Sequence, residues 1–513
     1  MTLSEAQGRR RRGRRAAGMA PQRQVDYSRL RNPFPPATVF TEDRVEAIHD
    51  AALTVLEKLG MKVLLPEARA VYAAGGALVD EDSEMVRIGR DMVMAALSSA
   101  PKSIGMRAGA RKRDVLLELG TLTLQAGAGC PNATDRVRGR RPAALNDYRE
   151  LTSLTQQFDA LHMLTPLVEP QDVPVHLRHY ATIEAQLTLS DKVPVIFARG
   201  TPQAEDGFEM IRDFRGLADD EFTAAPHCYT IVNTNSPRQL DIPMAQGLMD
   251  FARMGQMVIV TPFCLMGAMA PVTVAGALTL SHAEALAAIT LTQLARPGAP
   301  VCYGAFASNV DMKSGAPAFG TPEQVKANLG AGQLARHIGL PWRCAAGCAA
   351  NAPDAQAANE TQMSAWGAVL AGATVILHGA GWIEGGLTLS YEKFITDMEV
   401  MQIFAELCND VPADDSDLAL DALAEVQPGG HFFGCAHTME RYATAFYKPI
   451  VADWSNFGTW TEAGGQDAST RATGIWRGML SEPVSPVLDD ARTASLQDFI
   501  ARRTGEGGAP PES

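Results

Sequence analysis

Short apolar runs recur along this chain roughly every 30 to 40 residues, at 122–126, 161–165, 193–197, 227–232, 257–261, 300–303, 342–345 and 374–378. They are rich in Val, Ile, Leu, Thr, Cys and aromatic residues, the types that fit a pleated surface. Nearly every run gives way to Gly, Pro, Asn or Ser, and then to apolar positions at helical spacing. Helices are expected over 145–158, 175–189, 204–217, 242–253, 282–295, 322–337 and 354–371. Thr321-Pro-Glu-Gln324 is a helix start with a Thr cap and Pro at the first helical position. Eight strand–helix units predict an α/β fold of the (β/α)8 barrel type, whose chemistry sits on the loops after the strands.

The remaining pattern divides the chain. Residues 1–35 are expected to be a disordered basic tail, with Arg9-Arg-Arg-Arg12 and Arg14-Arg15 and no apolar segment of a signal peptide behind them. Residues 36–115 are expected to form a small, mostly helical N-terminal lobe, opened by Val45, Ile48, Ala52, Leu53, Leu56 and Leu59 at helical spacing. The barrel is expected over 116–395, a C-terminal helical and aromatic extension over 396–504, and a tail over 505–513. The stretch 257–281 carries no charge, but Pro262 and Pro271 interrupt it, so it reads as a buried strand, loop and helix start rather than a membrane span.

Charge and cysteine usage narrow the class. A net charge of −13 argues against a nucleic-acid partner for the folded body. The 8 cysteines are scattered and read as reduced thiols of a cytoplasmic protein. Cys344 and Cys348 have the wrong spacing for a zinc ribbon, and His176 with His179 lacks the glutamate of a metalloprotease helix, so no metal site is expected. Phosphate-binding loop, dinucleotide fingerprint and nucleophile elbow are all absent from the sequence.

The segments after the last three strands are distinctive. Tyr303, Phe306, Trp382 and Tyr391 are expected to converge on the barrel mouth as an aromatic cage for a quaternary ammonium group. Small Gly and Ala neighbours leave open space beside them. Asp354, Gln356 and Asn359 after strand seven, with His378 and Glu384 after strand eight, are the polar candidates that orient the reactants. Of these His378, Asp354 and Glu384 are the catalytic candidates, and His378 stands out because it ends an apolar strand.

These segments resemble the trimethylamine methyltransferase family. The resemblance is carried by Ile48-His-Asp-Ala-Ala-Leu-Thr-Val-Leu-Glu-Lys-Leu-Gly60, Gly129-Cys-Pro-Asn-Ala-Thr-Asp135 and Pro353-Asp-Ala-Gln-Ala-Ala-Asn-Glu360. It extends to Gly379-Ala-Gly-Trp-Ile-Glu-Gly-Gly-Leu-Thr-Leu-Ser-Tyr-Glu392 and Gly430-His-Phe-Phe-Gly-Cys-Ala-His-Thr438. It implies a (β/α)8 barrel that moves a methyl group from an amine to the Co(I) of a corrinoid (cobalamin) held by a separate carrier protein. No cofactor would be bound tightly by this chain. Members that contain pyrrolysine carry it near the end of strand seven. This chain has only standard residues between Trp342 and Glu360, which points to the pyrrolysine-free branch and a glycine betaine-like substrate. Gly127, Gly129, Gly379 and Gly381 are then expected to border the opening through which the corrinoid approaches.

The chemistry agrees with that inventory. A quaternary amine leaves as a neutral tertiary amine, so the protein need supply orientation, charge complementarity and exclusion of water, without a proton donor. Two other readings stay open at this point. One is a barrel lyase or hydrolase using a metal or an acid/base pair such as Asp354 with His378. The other is a non-catalytic betaine-binding protein. No membrane partner is expected, and a homo-oligomer is compatible with all of these readings.

Overall fold

The computed structural model describes residues 25–512 except Ser485 and Val487. The Arg-rich segment 9–15 lies outside the described residues. Six of the eight apolar runs form strands: β1 (Thr121–Leu124), β2 (Tyr229–Val232), β3 (Met257–Val260), β4 (Val301–Gly304), β5 (Trp342–Ala345) and β6 (Val375–Leu377). They pair in parallel in the order β1-β6-β5-β4-β3-β2. The runs at 161–165 and 193–197 join through single parallel bridges, Met163 with Val193 and Val195 with Tyr229.

The architecture is α/β, and the seam between β1 and the 161–165 run is not a continuous ladder. Leu30–Arg31 pairs antiparallel with β1, Leu30 opposite Leu122, and occupies the edge that a neighbouring parallel strand would use. Higher on that edge the His162 backbone N–H donates to the Leu124 carbonyl at 3.0 Å. The His162 ring completes the join: Nδ1 accepts from the Leu124 N–H at 3.0 Å, and Nε2 lies 2.7 Å from the Tyr27 carbonyl. That pattern puts the ring proton on Nε2.

Alternation along the strands sorts side chains into two sets. Tyr229, Met257, Ile259, Cys302 and Val375 cluster with Met163, Val193 and Val195 inside the curl of strands. Ile104, Met106, Val115 and Leu117 belong to the same buried cluster. They come from the antiparallel hairpin Ser103–Met106 with Val115–Glu118, which thereby packs against the strand interior. The alternate residues, among them Val258, Val260, Tyr303, Trp342, Cys344 and Ile376, join the larger core formed with the helices. Helix Val274–Ala295 is long and apolar enough to cross a membrane by length and composition, but it is mostly buried inside the protein.

Outside the main strands the structure departs from the sequence expectation in four places, the first at residues 25–35, expected as part of a disordered tail, where Leu30–Arg31 pairs with β1 and the Tyr27 carbonyl meets His162. The segment 36–115 has the helices Glu42–Thr54, Pro66–Ala74 and Arg90–Ser99, but it also carries Met61–Val63, Leu78–Asp80 and Met85–Arg87. These three strands form a sheet with Gln239–Leu240, and each is too short to show a period in sequence. Asn409–Pro449 carries short helices and is assigned to a compact unit apart from the one that holds the strands. Residues 505–512, expected as a tail, pack against the body: Gln203 donates to the Ala509 carbonyl at 2.8 Å and Gln246 to Glu512 at 2.6 Å.

Candidate active site

A cavity of about 320 Å³ opens at the C-terminal ends of the strands. Every one of the eight apolar runs, or the loop just after it, contributes to its wall. In chain order these residues are Gly129, Pro166, Phe197, Asn233, Phe263, Phe306, Arg343 and His378, followed by Trp382, Gly385 and Gly386. Glu169 also reaches the wall, but Arg178 at 3.3 Å and Arg199 at 3.8 Å already engage its carboxylate.

Aromatic rings make most of one side. Phe263 and Phe306 have centroids 4.9 Å apart, and Phe306 and Trp382 6.2 Å apart. Phe319 supports both from behind, edge-on to Trp382 at 5.3 Å and stacked on Phe306 at 5.7 Å. The His378 ring stacks on Trp382 with centroids 4.4 Å apart. Rings in this arrangement present π-faces and apolar edges to a bound group.

Two polar side chains sit against that wall. Arg343 lies in the middle of β5, where Trp342 and Cys344 on either side face the helices, so the alternation turns it toward the interior. Its Nη2 is 3.4 Å from His378 Nε2, and its guanidinium lies 5.1 Å from the Phe306 ring centroid. A guanidinium only donates, so His378 Nε2 accepts and the ring proton is on Nδ1. Burial, and then the positive charge of Arg343, hold the His378 pKa well below its ordinary value, so the ring is neutral near pH 7. Its backbone has φ of 63°, an uncommon conformation for a residue other than Gly that the surrounding structure must enforce.

That enforcement comes from the loop after β6. His378 N–H donates to the Ala126 carbonyl at 3.1 Å and Gly379 N–H to the Gln125 carbonyl at 2.9 Å. Gly381 N–H donates to Asp397 Oδ2 at 2.9 Å, and Asp397 is ion-paired at 2.6 Å with Lys393 on the buried side of helix Tyr391–Leu407. Lys393 also donates to Thr361 Oγ1 at 2.6 Å.

Of the residues singled out from sequence, Phe306, Trp382, His378 and Gly129 line the cavity. The others lie elsewhere. Tyr303 falls on the outward parity of β4 and meets His282 Nδ1 at 3.1 Å among the helices. Tyr391 opens its helix, with its hydroxyl on Glu150 at 2.6 Å and Asp147 at 3.0 Å, and Arg138 over its ring. Asp354 is the exposed cap of helix Ala355–Leu370, accepting from the Gln356 and Ala357 N–H groups, so it forms no acid/base pair with His378. Gln356 is exposed and donates to Glu360 at 2.7 Å, and Asn359 is exposed on the same helix. Glu384 is held by Arg140 through both oxygens at 3.0 Å, and Thr388 donates to it at 2.8 Å.

The glycines divide in the same way. A Cβ on Gly379 would meet Met401 Sδ at 2.6 Å on helix Tyr391–Leu407, and Gly127 and Gly381 abut Leu389 of the short strand Thr388–Ser390, so these three permit close packing behind the cavity. Gly129 has φ of 71° and open space where a Cβ would point, which leaves the cavity edge clear.

Arg343, Phe263, Phe197 and Asn233 were not selected from sequence. The signal for Arg343 was available: one charged residue in the middle of an apolar strand, between two residues of outward parity. Phe197 and Phe263 each lie at or just past the end of an apolar run, where they read equally well as core.

A family model described as trimethylamine methyltransferase (MTTB) matches residues 5–508. The chain belongs to the trimethylamine methyltransferase family. Among curated relatives of this family it is 32% identical over 477 residues to a glycine betaine methyltransferase of Desulfitobacterium hafniense (strain Y51), covering 93% of this chain and 99% of that one. It is 30% identical over 481 residues to the trimethylamine methyltransferase MttB1 of Methanosarcina acetivorans, covering 90% of this chain and 94% of the relative. Among solved structures, the monomethylamine methyltransferase MtmB of Methanosarcina barkeri aligns with a TM-score of 0.47 at 9% identity, over 89% of this chain and 92% of that one. Family membership makes the chain a methyltransferase.

Proposed function

We propose that this protein moves a methyl group from a small quaternary amine, glycine betaine-like, to the reduced cobalt of a corrinoid on a separate carrier protein, in the cytoplasm. The observation that carries the reading is the convergence of the ends of all eight apolar runs, six of them strands, on one cavity walled by Phe263, Phe306 and Trp382. The same convergence supports a (β/α)8 barrel over 116–395, with 36–115 and the residues after 395 as additions to it. The reduced corrinoid supplies the nucleophile. The chain's own part is to hold the methylated nitrogen against aromatic faces, to exclude water, and to aim one methyl at the opening. The C–N bond breaks with its electron pair staying on nitrogen, so the amine departs neutral and no residue has to deliver a proton. A neutral His378 without a carboxylate partner suits that requirement. The clear edge at Gly129, with Gly385 and Gly386 beside it, supports the approach of a bulky acceptor.

The test is incubation with reduced cobalamin and a panel of methylated amines, following the loss of the Co(I) absorbance. Turnover is expected with a quaternary amine and not with the corresponding tertiary amine. Demethylation at the same rate in corrinoid-free buffer would overturn the reading.

A further inference from the structure

We propose that Arg343 is a carboxylate anchor, so that the ligand of this cavity is an N-methylated amino acid of the betaine class and not an amine lacking an acid group. Four cationic side chains are buried among the described residues: Arg69, Lys192, Arg343 and Lys393. Three of them are satisfied within the protein. Arg69 pairs with Glu81 at 2.7 Å and donates to the Val63 carbonyl at 2.9 Å. Lys192 donates to the Thr155 and Phe158 carbonyls at 2.5 and 2.7 Å, and Lys393 pairs with Asp397.

Arg343 is the exception. It is 2% exposed, its Nε and Nη1 have no hydrogen-bond partner, and no carboxylate pairs with it among the described residues. A buried cation with unfilled N–H groups is costly to keep, and the cost falls when an anion fills them. The guanidinium presents a planar fork that fits a carboxylate through two parallel hydrogen bonds. It forms part of the cavity wall, so the anion it fits is a ligand. Burial lowers its pKa to about 10, which leaves it charged at neutral pH.

Charge ordering within the ligand follows. A bare ammonium in this cavity meets the like charge of Arg343. A zwitterion places its carboxylate on Arg343 and its methylated head among Phe263, Phe306 and Trp382. The amine half of this argument rests on the proposed function, and the carboxylate half stands on Arg343 alone.

The test separates the two halves. Calorimetric titrations of the full chain would use glycine betaine, choline, and 3,3-dimethylbutyrate, which replaces the ammonium nitrogen by carbon and cannot donate a methyl group. Arg343→Met is expected to weaken both carboxylate ligands by at least about tenfold, the scale of losing hydrogen bonds to a charged group, with choline unchanged or improved. Arg343→Lys keeps the charge without the fork and is expected to fall between, and it carries the test if Arg343→Met does not fold. Unchanged affinity of both carboxylates in the folded variants, or choline binding the wild type as tightly as glycine betaine, overturns the proposal. If 3,3-dimethylbutyrate binds through Arg343 while no amine yields a methyl group to corrinoid, the anchor stands and the methyl-transfer reading falls.

Discussion

The imidazole of His378 lies nearly parallel to the indole of Trp382, with ring planes 25° apart and centroids 4.4 Å apart. Each ring therefore fixes the other, and both sit on one loop between β6 and the helix behind it. A desolvated cation–π contact contributes on the order of 2 kcal/mol. Trp382→Ala should accordingly weaken binding of a quaternary amine by roughly tenfold or more, while Trp382→Phe keeps most of it. Titration with tetramethylammonium and glycine betaine reads this directly, and unchanged affinity for both removes Trp382 from the cage.

His378 should not appear as an ionising group in the rate. Its burial and its Arg343 neighbour hold the imidazole neutral, with a pKa well below the ordinary value. The methyl-transfer rate is expected to show no inflection assignable to His378 between about pH 6 and about pH 8, where an unperturbed histidine titrates. A His378→Asn variant that shifts an inflection in that window would contradict the assignment.

Acid should weaken the fold at the seam beside β1. His162 is buried with a pKa lowered to about 4, and its Nδ1 must stay unprotonated to accept from Leu124. In the unfolded chain the same ring titrates near its ordinary value of about 6.5, so the unfolded state binds the proton first as pH falls. The stabilisation is complete above about pH 6.5 and is lost as pH drops toward 4, with a size on the order of 3 kcal/mol from this ring. Thermal melts should show a smaller drop between about pH 7 and about pH 5 in His162→Gln than in wild type. Equal drops would place the acid sensitivity elsewhere.

Tyr303 gives the contrasting case. Its hydroxyl bonds to His282 away from the cavity, so Tyr303→Phe should lower stability by about 1 kcal/mol and leave amine affinity unchanged. A chemical denaturation curve alongside the binding titration distinguishes this from a cage role.

The periodic apolar runs made the strand succession legible, and with it the end of the fold on which a cavity forms. Parity within a run is legible too: Cys302 inside puts Tyr303 outside, and Trp342 outside puts Arg343 inside. Tyr391, Asp354 and Glu384 were harder. Each lies within a motif that resembles the family, yet its side chain is tied locally, to Glu150, to a helix N-terminus and to Arg140. No spacing rule reveals such partners, because Arg140 and Glu384 meet across 244 residues of sequence. The Leu30–Arg31 strand was also illegible, since two residues carry no period.

The amide of Gly381 hangs from Asp397, which is paired with Lys393, and Lys393 in turn reaches Thr361. None of these three side chains lines the cavity. Yet the loop they suspend carries the two stacked rings as one unit, so a small change in the suspension tilts both rings together. Substitutions at positions 361, 393 and 397 are therefore expected to shift ligand preference from behind the wall. A search for variants that accept bulkier amines would do well to randomise these positions as well as the wall itself.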